Sequence, residues 1–205
     1  MTFFSLISAL LLDQWRPGSD RNRIVLLFLS YADWLERYFN TGVRRHGIAA
    51  WIAAMVPVLI VWGWVYYLLD SLSPLLGWAW NVVTLYLTIE IRHFSYSIAE
   101  IKDALKNGDT LLARKLLKEW HGVKAEKLDN QEIARVAIER GLVYSHRYLF
   151  GVIVCFAVLP GPLGAVLYRL AELLSERWSD RPDAFGDFAA KAFEIIDWVP
   201  TRLTA

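Results

Sequence analysis

The chain has 205 residues, 56% of them hydrophobic, 21% charged and 14% aromatic, with 10 tryptophans and a formal net charge of +1. This near-neutral balance, with no long basic block, excludes a nucleic-acid binder built on charge. A single cysteine, Cys155 in an apolar run, excludes an intrachain disulfide framework and reads as a buried thiol rather than a reactive or metal-binding one.

Residues 2–12 are apolar but cover only about 17 Å as a helix, too short to span a bilayer comfortably. With no basic flank and no cleavage site, they read as a retained interfacial or embedded segment, not a signal peptide. From 13 to 46 the chain is polar and carries Arg16, Arg21, Arg23, Arg37, Arg44 and Arg45. Within it Ile24, Leu27, Phe28, Tyr31, Trp34 and Leu35 recur at helical spacing, predicting an amphipathic helix over 24–39. Acids and bases mix on its polar side, so packing on neighbouring helices is favoured over lying on a bilayer surface.

Residues 47–69 hold no charge, and about 23 residues give roughly 34 Å of helix, enough to cross a hydrocarbon core. Pro57 is tolerated in such a helix, and Trp51, Trp62, Trp64, Tyr66 and Tyr67 gather toward its ends, where amphipathic rings favour the headgroup level. A turn without basic residues and a second apolar run over 74–89 follow, predicting a transmembrane hairpin over 47–89 and an N-terminal membrane part over 1–89. Arginines flank the hairpin and avoid its turn, which places the turn outside and both 13–46 and everything from Glu90 onward in the cytoplasm.

Residues 90–147 read as a cytoplasmic helical part. Asn107-Gly108-Asp109 separates two apolar stripes, Phe94, Ile98, Ile101, Leu105 and Leu112, Leu116, Leu117, Trp120, predicting a helical hairpin. Asp129 with Glu132 three residues on is a capping-box pattern, and the helix it opens is expected to run through Tyr148 to Leu159. Pro160-Gly161-Pro162 then interrupts the apolar run, and basic residues stand on both sides of it. A re-entrant helical hairpin over 148–175 is favoured over a kinked span, and such a break is a candidate ligand site. Over 176–205 a polar loop, an amphipathic helix at 188–198 and the opening of a further membrane segment are expected, as in a fragment. The fold class is therefore all-α, a polytopic protein of a bacterial inner membrane with its polar part cytoplasmic and the lipid bilayer as a partner.

The stretch 84–205 resembles the CobD/CbiB family of membrane proteins. The matching residues are Ala104-Leu105 with Gly108-Asp109, Ala113-Arg114, Leu128-Asp129 with Glu132-Ile133-Ala134-Arg135, Glu139, Gly161-Pro162 with Gly164-Ala165, Tyr168-Arg169, Phe185-Gly186, and Pro200 with Arg202-Leu203-Thr204. The resemblance implies either an adenosylcobinamide-phosphate synthase of cobalamin biosynthesis or a relative on the regulatory AmpE branch. Departures bear on that choice. Val123-Lys124-Ala125 replaces the synthases' Arg-Asp-Thr, Val143-Tyr144 their Glu-Asn, and Arg147 their Asp; Glu172 to Ser175 stands in place of Asn-Thr-Leu-Asp, and Phe193-Glu194 in place of Asp-Asp. By contrast, His121-Gly122-Val123 and Asp197-Trp198-Val199-Pro200 are similar to AmpE. A ligase using magnesium and ATP needs several hard oxygen ligands, so these losses favour an AmpE-like, non-catalytic ligand sensor over the synthase, with magnesium and ATP expected only in the second case.

Candidate ligand-binding residues are Glu90 and His93 near the end of the second apolar run, Arg135 and Glu139 on the long helix, and Arg202. Glu139 suits metal or substrate binding, but an i, i+4 pair with Arg135 on a solvated face explains it equally. Arg202 suits an anionic phosphate or carboxylate, or a positive-inside anchor. The ligand would be a corrinoid or another anionic small molecule. No histidine spacing typical of a metal site, phosphate-binding glycine loop or serine nucleophile elbow stands in the sequence.

Overall fold

A computed structural model describes residues 2–15, 19–40, 43–89, 91–121, 128–179 and 185–204, and all regular structure among them is helical. The chain divides into two compact units, one comprising Met1–Ile89 with Phe150–Ala205 and the other Glu90–Leu149.

The first unit contains α1 (Thr2–Trp15), α2 (Ser19–Phe39), α3 (Arg44–Leu72), α4 (Pro74–Thr88), α8 (Gly151–Val158), α9 (Leu163–Ser179) and α10 (Asp187–Thr204). The intervening labels α5 to α7 belong to the second unit. α3 runs unbroken through Pro57 for 29 residues, and only 17% of its most apolar stretch is buried. It is one of two helices long and apolar enough to cross a membrane among the described residues. α4 follows the apolar run over 74–89 to within one residue. Ser73 accepts from the Leu75 amide, Pro74 opens the helix and Ile89 is already extended, so α4 has 15 residues, about 22 Å, short of a crossing. It packs back on α3, where the Trp62 indole donates to Thr84 Oγ1 at 2.9 Å and stacks near Trp80.

α2 buries Phe28, Ala32 and Leu35, and the Tyr31 hydroxyl donates to the Ala53 carbonyl of α3 at 2.9 Å. The helix therefore packs on α3 through the expected apolar stripe, although it begins at Ser19, earlier than periodicity alone marks. α3 and α10 run in the same direction, because the Gly47 site abuts the Phe185 carbonyl and the Trp51 ring meets Phe188 at 5.6 Å. α10 continues through Pro200 as one helix, where a stop at Trp198 was expected.

The second unit contains α5 (Ile91–Lys106), α6 (Thr110–His121) and α7 (Asn130–Ser145). Gly108, at φ +74°, makes the left-handed turn between α5 and α6, and Asp109 Oδ1 accepts from the Leu112 amide at 2.9 Å. Asp129 and Glu132 form the expected reciprocal capping box at the start of α7. Ile101, Ala104, Ala113, Leu117, Ile133 and Ala137 make the core of this unit. The Arg114 guanidinium donates twice to the Leu128 carbonyl, at 2.9 and 2.7 Å, and ties the approach to α7 onto α6.

α7 continues through a π-helical turn, His146–Phe150, into α8, and Asn130–Val158 is the second helix long and apolar enough to cross a membrane. At Leu159 the backbone is extended and Gly161 takes φ +65°, so the Pro160-Gly161-Pro162 segment reverses the chain. α9 then packs antiparallel on α8. The Gly151 site abuts the Tyr168 ring, and the Gly164 site abuts the Cys155 carbonyl. The proline segment thus makes a helical hairpin and not a kink.

Two substitutions test this packing. Leu117→Ala removes a fully buried side chain from the core of the second unit and is expected to cost about 2–5 kcal/mol, read as a lowered denaturant midpoint. Gly164→Ala drives a methyl group into a backbone carbonyl that cannot swing away, so its thermal midpoint should fall well below that of Gly63→Ala, where the neighbour is the flexible Leu163 side chain.

Candidate functional site

The expected ligand residues fall in different parts of the chain. Glu90 lies outside the described residues. His93 lies on α5, and its side chain is likewise outside them. Arg135 and Glu139 do come together on α7, with Nε donating to Oε1 at 2.9 Å. Their side chains are 81% and 60% exposed, so this pair faces solvent with little desolvation and contributes only a few tenths of a kcal/mol by itself. Arg202 belongs to the first unit, in the last turn of α10, exposed and with its guanidinium 5.5 Å from the Trp198 ring centroid. Such a contact orients the cation without neutralising it.

Three of the positions at which the sequence departs from the synthase pattern stand at or next to the π turn, while the others lie elsewhere in the chain. Val143 and Tyr144 end α7, and Arg147 lies within the turn. Tyr144 and Tyr148 stack face to face, with centroids 3.8 Å apart and planes 4° apart, and Trp120 of α6 stands 6.2 Å from Tyr144. π turns interrupt regular helices and recur at functional sites. A cleft of about 150 Å³ in the same unit is lined by Ser97 and Glu100 of α5 and by Leu116, Glu119 and Trp120 of α6, placing two carboxylates beside an indole.

A buried ion pair lies elsewhere, on α9. Arg169 Nη1 donates to Glu172 Oε2 at 2.7 Å, with side chains 10% and 0% exposed. One residue earlier, the Tyr168 hydroxyl donates to Asp197 Oδ1 of α10 at 2.7 Å, and Thr201 donates to the second oxygen of that carboxylate at 3.2 Å. These bonds fix α10 against α9. Near the opposite end of α9, Arg177 forks onto both oxygens of Asp33 on α2, at 2.9 Å each, and that carboxylate raises the guanidinium further above its ordinary pKa. Sequence reasoning missed the Arg169–Glu172 pair. Its signal was an arginine and a glutamate at i, i+3 on a helix otherwise apolar on that face.

Among the described residues, no group of three or more His, Cys, Asp or Glu side chains gathers in one place.

Comparison with known proteins gives a consistent result. A profile of the family described as CobD/Cbib protein matches residues 6–205. The Cobalamin biosynthesis protein CobD of Stutzerimonas stutzeri is 34% identical over 211 residues, covering 99% of this chain and 67% of the relative. Its namesake in Chromobacterium violaceum is 33% identical over 161 residues, covering 77% and 46%. That of Clostridium perfringens is 25% identical over 175 residues, covering 83% and 55%. The chain thus spans between about half and two thirds of the length of these relatives. No solved structure matches. The shared name favours the biosynthetic reading over the AmpE-like regulatory one, which these relatives do not support.

Glu172→Ala should destabilise the first unit by about 3–5 kcal/mol, because it strands a buried guanidinium. Asp33→Ala, which breaks a partly solvated pair, should cost about 1 kcal/mol or less. Thermal unfolding of the two variants side by side checks the contrast.

Proposed function

We propose that this chain, which belongs to the CobD/Cbib protein family, serves cobalamin biosynthesis as an adenosylcobinamide-phosphate synthase, forming an amide between an aminopropanol phosphate and a corrinoid carboxylate with ATP as co-substrate. The observation that carries the proposal is the match to the family over residues 6–205, joined to the common name of its relatives. A carboxylate is a poor acyl donor to an amine at neutral pH, so the reaction needs its carboxylate activated and its amine delivered unprotonated. The unit Glu90–Leu149 offers groups for the binding part of that task. His93, Arg135 and Glu139, with Glu90, are proposed to take the anionic and polar parts of the substrates, and Arg202 is proposed as a separate anion site in the other unit.

A bilayer is proposed as the surroundings of the first unit. Arg44, Arg45 and His46 are exposed at the start of α3, and Trp64 and Tyr67 are exposed about 20 residues later, roughly 30 Å along the helix and close to the thickness of a hydrocarbon core. Ile52, Val56, Ile60 and Val61 between them lie open, an arrangement that lipid satisfies and water does not. The arginine-bearing end is assigned to the cytoplasm of a bacterial cell.

The decisive experiment is the reaction itself. Purified protein in nanodiscs, given a corrinoid carboxylate, aminopropanol phosphate, magnesium and ATP, should yield the amide, detected by mass; binding of the corrinoid without turnover would return the chain to the sensor reading. Glu139→Gln should lower the rate at least about tenfold while shifting stability by less than about 0.5 kcal/mol, since its exposed ion pair holds little. An unchanged rate would leave Glu139 with its structural role alone. For topology, a cysteine introduced at Asp109 in a Cys155→Ser background should react with an impermeant maleimide only after the inner membrane is opened. Labelling in intact cells would reverse the assignment.

A further inference from the structure

α8, α9 and α10 enclose a cavity of about 230 Å³ whose walls include Val154, Val158, Leu159, Leu167, Ile195 and Val199. Its lining side chains are all aliphatic apart from the Cys155 thiol, so it offers a polar ligand no side-chain hydrogen bonding beyond a weak sulfur. Its rim is open: Val158 is 66% and Ile195 74% exposed, and Leu159 and Val199 are exposed beside them.

A cation stands at one end of this groove. Arg202 lies three residues beyond Val199 and seven beyond Ile195, which puts it on the same face of α10, roughly 5–10 Å past the apolar walls. The Trp198 ring, itself exposed, holds the guanidinium. This level of the unit is also its aromatic end. α3 and α10 start together at Gly47 and Phe185, and Tyr66 lies against the Gly161 turn that joins α8 to α9. An aliphatic slot that ends at an arginine and a tryptophan has the polarity of one amphiphile with an anionic head.

We infer that this groove binds an anionic phospholipid, with one acyl chain between α8, α9 and α10 and its phosphate on Arg202. Arginine suits the phosphate because its fork donates two parallel hydrogen bonds, and Trp198 suits the ester level of a bilayer. A chain in the groove would cover apolar side chains that the protein leaves open. The inference rests on the bilayer placement proposed above and not on amide formation, so each can fail without the other.

The full chain is reconstituted in nanodiscs of mixed phosphatidylglycerol and phosphatidylcholine, released, and weighed by native mass spectrometry. One phosphatidylglycerol should be retained, favoured over phosphatidylcholine by about fivefold, the preference one basic residue confers. Arg202→Gln should abolish that preference while leaving a lipid bound. Val154→Phe, which fills the groove, should lose either lipid, and Val199→Phe at the exposed rim repeats the test if the first variant misfolds. Glycerol 3-phosphate should not displace the lipid. Retention unchanged in both groove-filling variants, displacement by glycerol 3-phosphate, or a dimer carrying no lipid would each overturn the assignment. A chain that fails to enter nanodiscs overturns the bilayer placement as well.

Discussion

The constraint on which the first unit depends is the uncovered apolar surface of α3. A 29-residue helix with only 17% of its most apolar stretch buried has no equivalent in an aqueous core, where a helix so apolar would be enclosed. The other helices of the unit do not form a shell around it. α2 touches it through Phe28, Tyr31 and Leu35, α4 through Trp80 and Thr84, and both leave its outer face open. Close contact is instead made where glycine removes a side chain, at Gly47 against Phe185 and Gly63 against Leu163. Such small-residue contacts are how helices associate when apolar burial between them contributes little.

Several polar groups of the same unit are paired, some along one helix and some between helices. Thr84 accepts from Trp62 and donates to the Trp80 carbonyl, and Thr88 donates to the Thr84 carbonyl, at 2.9 Å each. Arg169 and Glu172 neutralise each other along α9, and Asp197 accepts from both Tyr168 and Thr201. Pairing of this kind lets a helix carry charged residues through an apolar setting, and the bond from Tyr168 to Asp197 fixes α10 against α9 beside the apolar groove.

Much of this could be read from residue order. The uncharged run over 47–69 marks α3, Asp129 with Glu132 marks the start of α7, and Asn107-Gly108-Asp109 marks the hairpin between α5 and α6, because each rests on local chemistry that does not need a partner. What escaped depends on partners or on a single backbone angle. Nothing in residue order announces the π turn at His146–Phe150 inside the long helix, or that α10 keeps its helix through Pro200 to Thr204. The site was less legible than the fold. Periodicity places Arg135 and Glu139 on one face and finds their ion pair, yet it does not say which buried groups meet across helices, so Tyr168 with Asp197 emerged only from the packing. Glu90 and the side chain of His93 lie outside the described residues, and their part in the site rests on their being ionisable groups at the end of the apolar run over 74–89.

The wide turn at His146–Phe150 alters how the whole stretch from Asn130 to Val158 can be interpreted. A π turn accommodates about one residue more than the α-helix around it, so angular position is reset there by roughly a quarter revolution or more. A helical wheel drawn with a constant α-helical step therefore holds for α7, with Ile133, Ala137 and Gly141 on one stripe, and cannot be carried through the turn. A periodic reading begun at Asp129 thus loses its phase within the five residues His146–Phe150 and has to be started afresh after them.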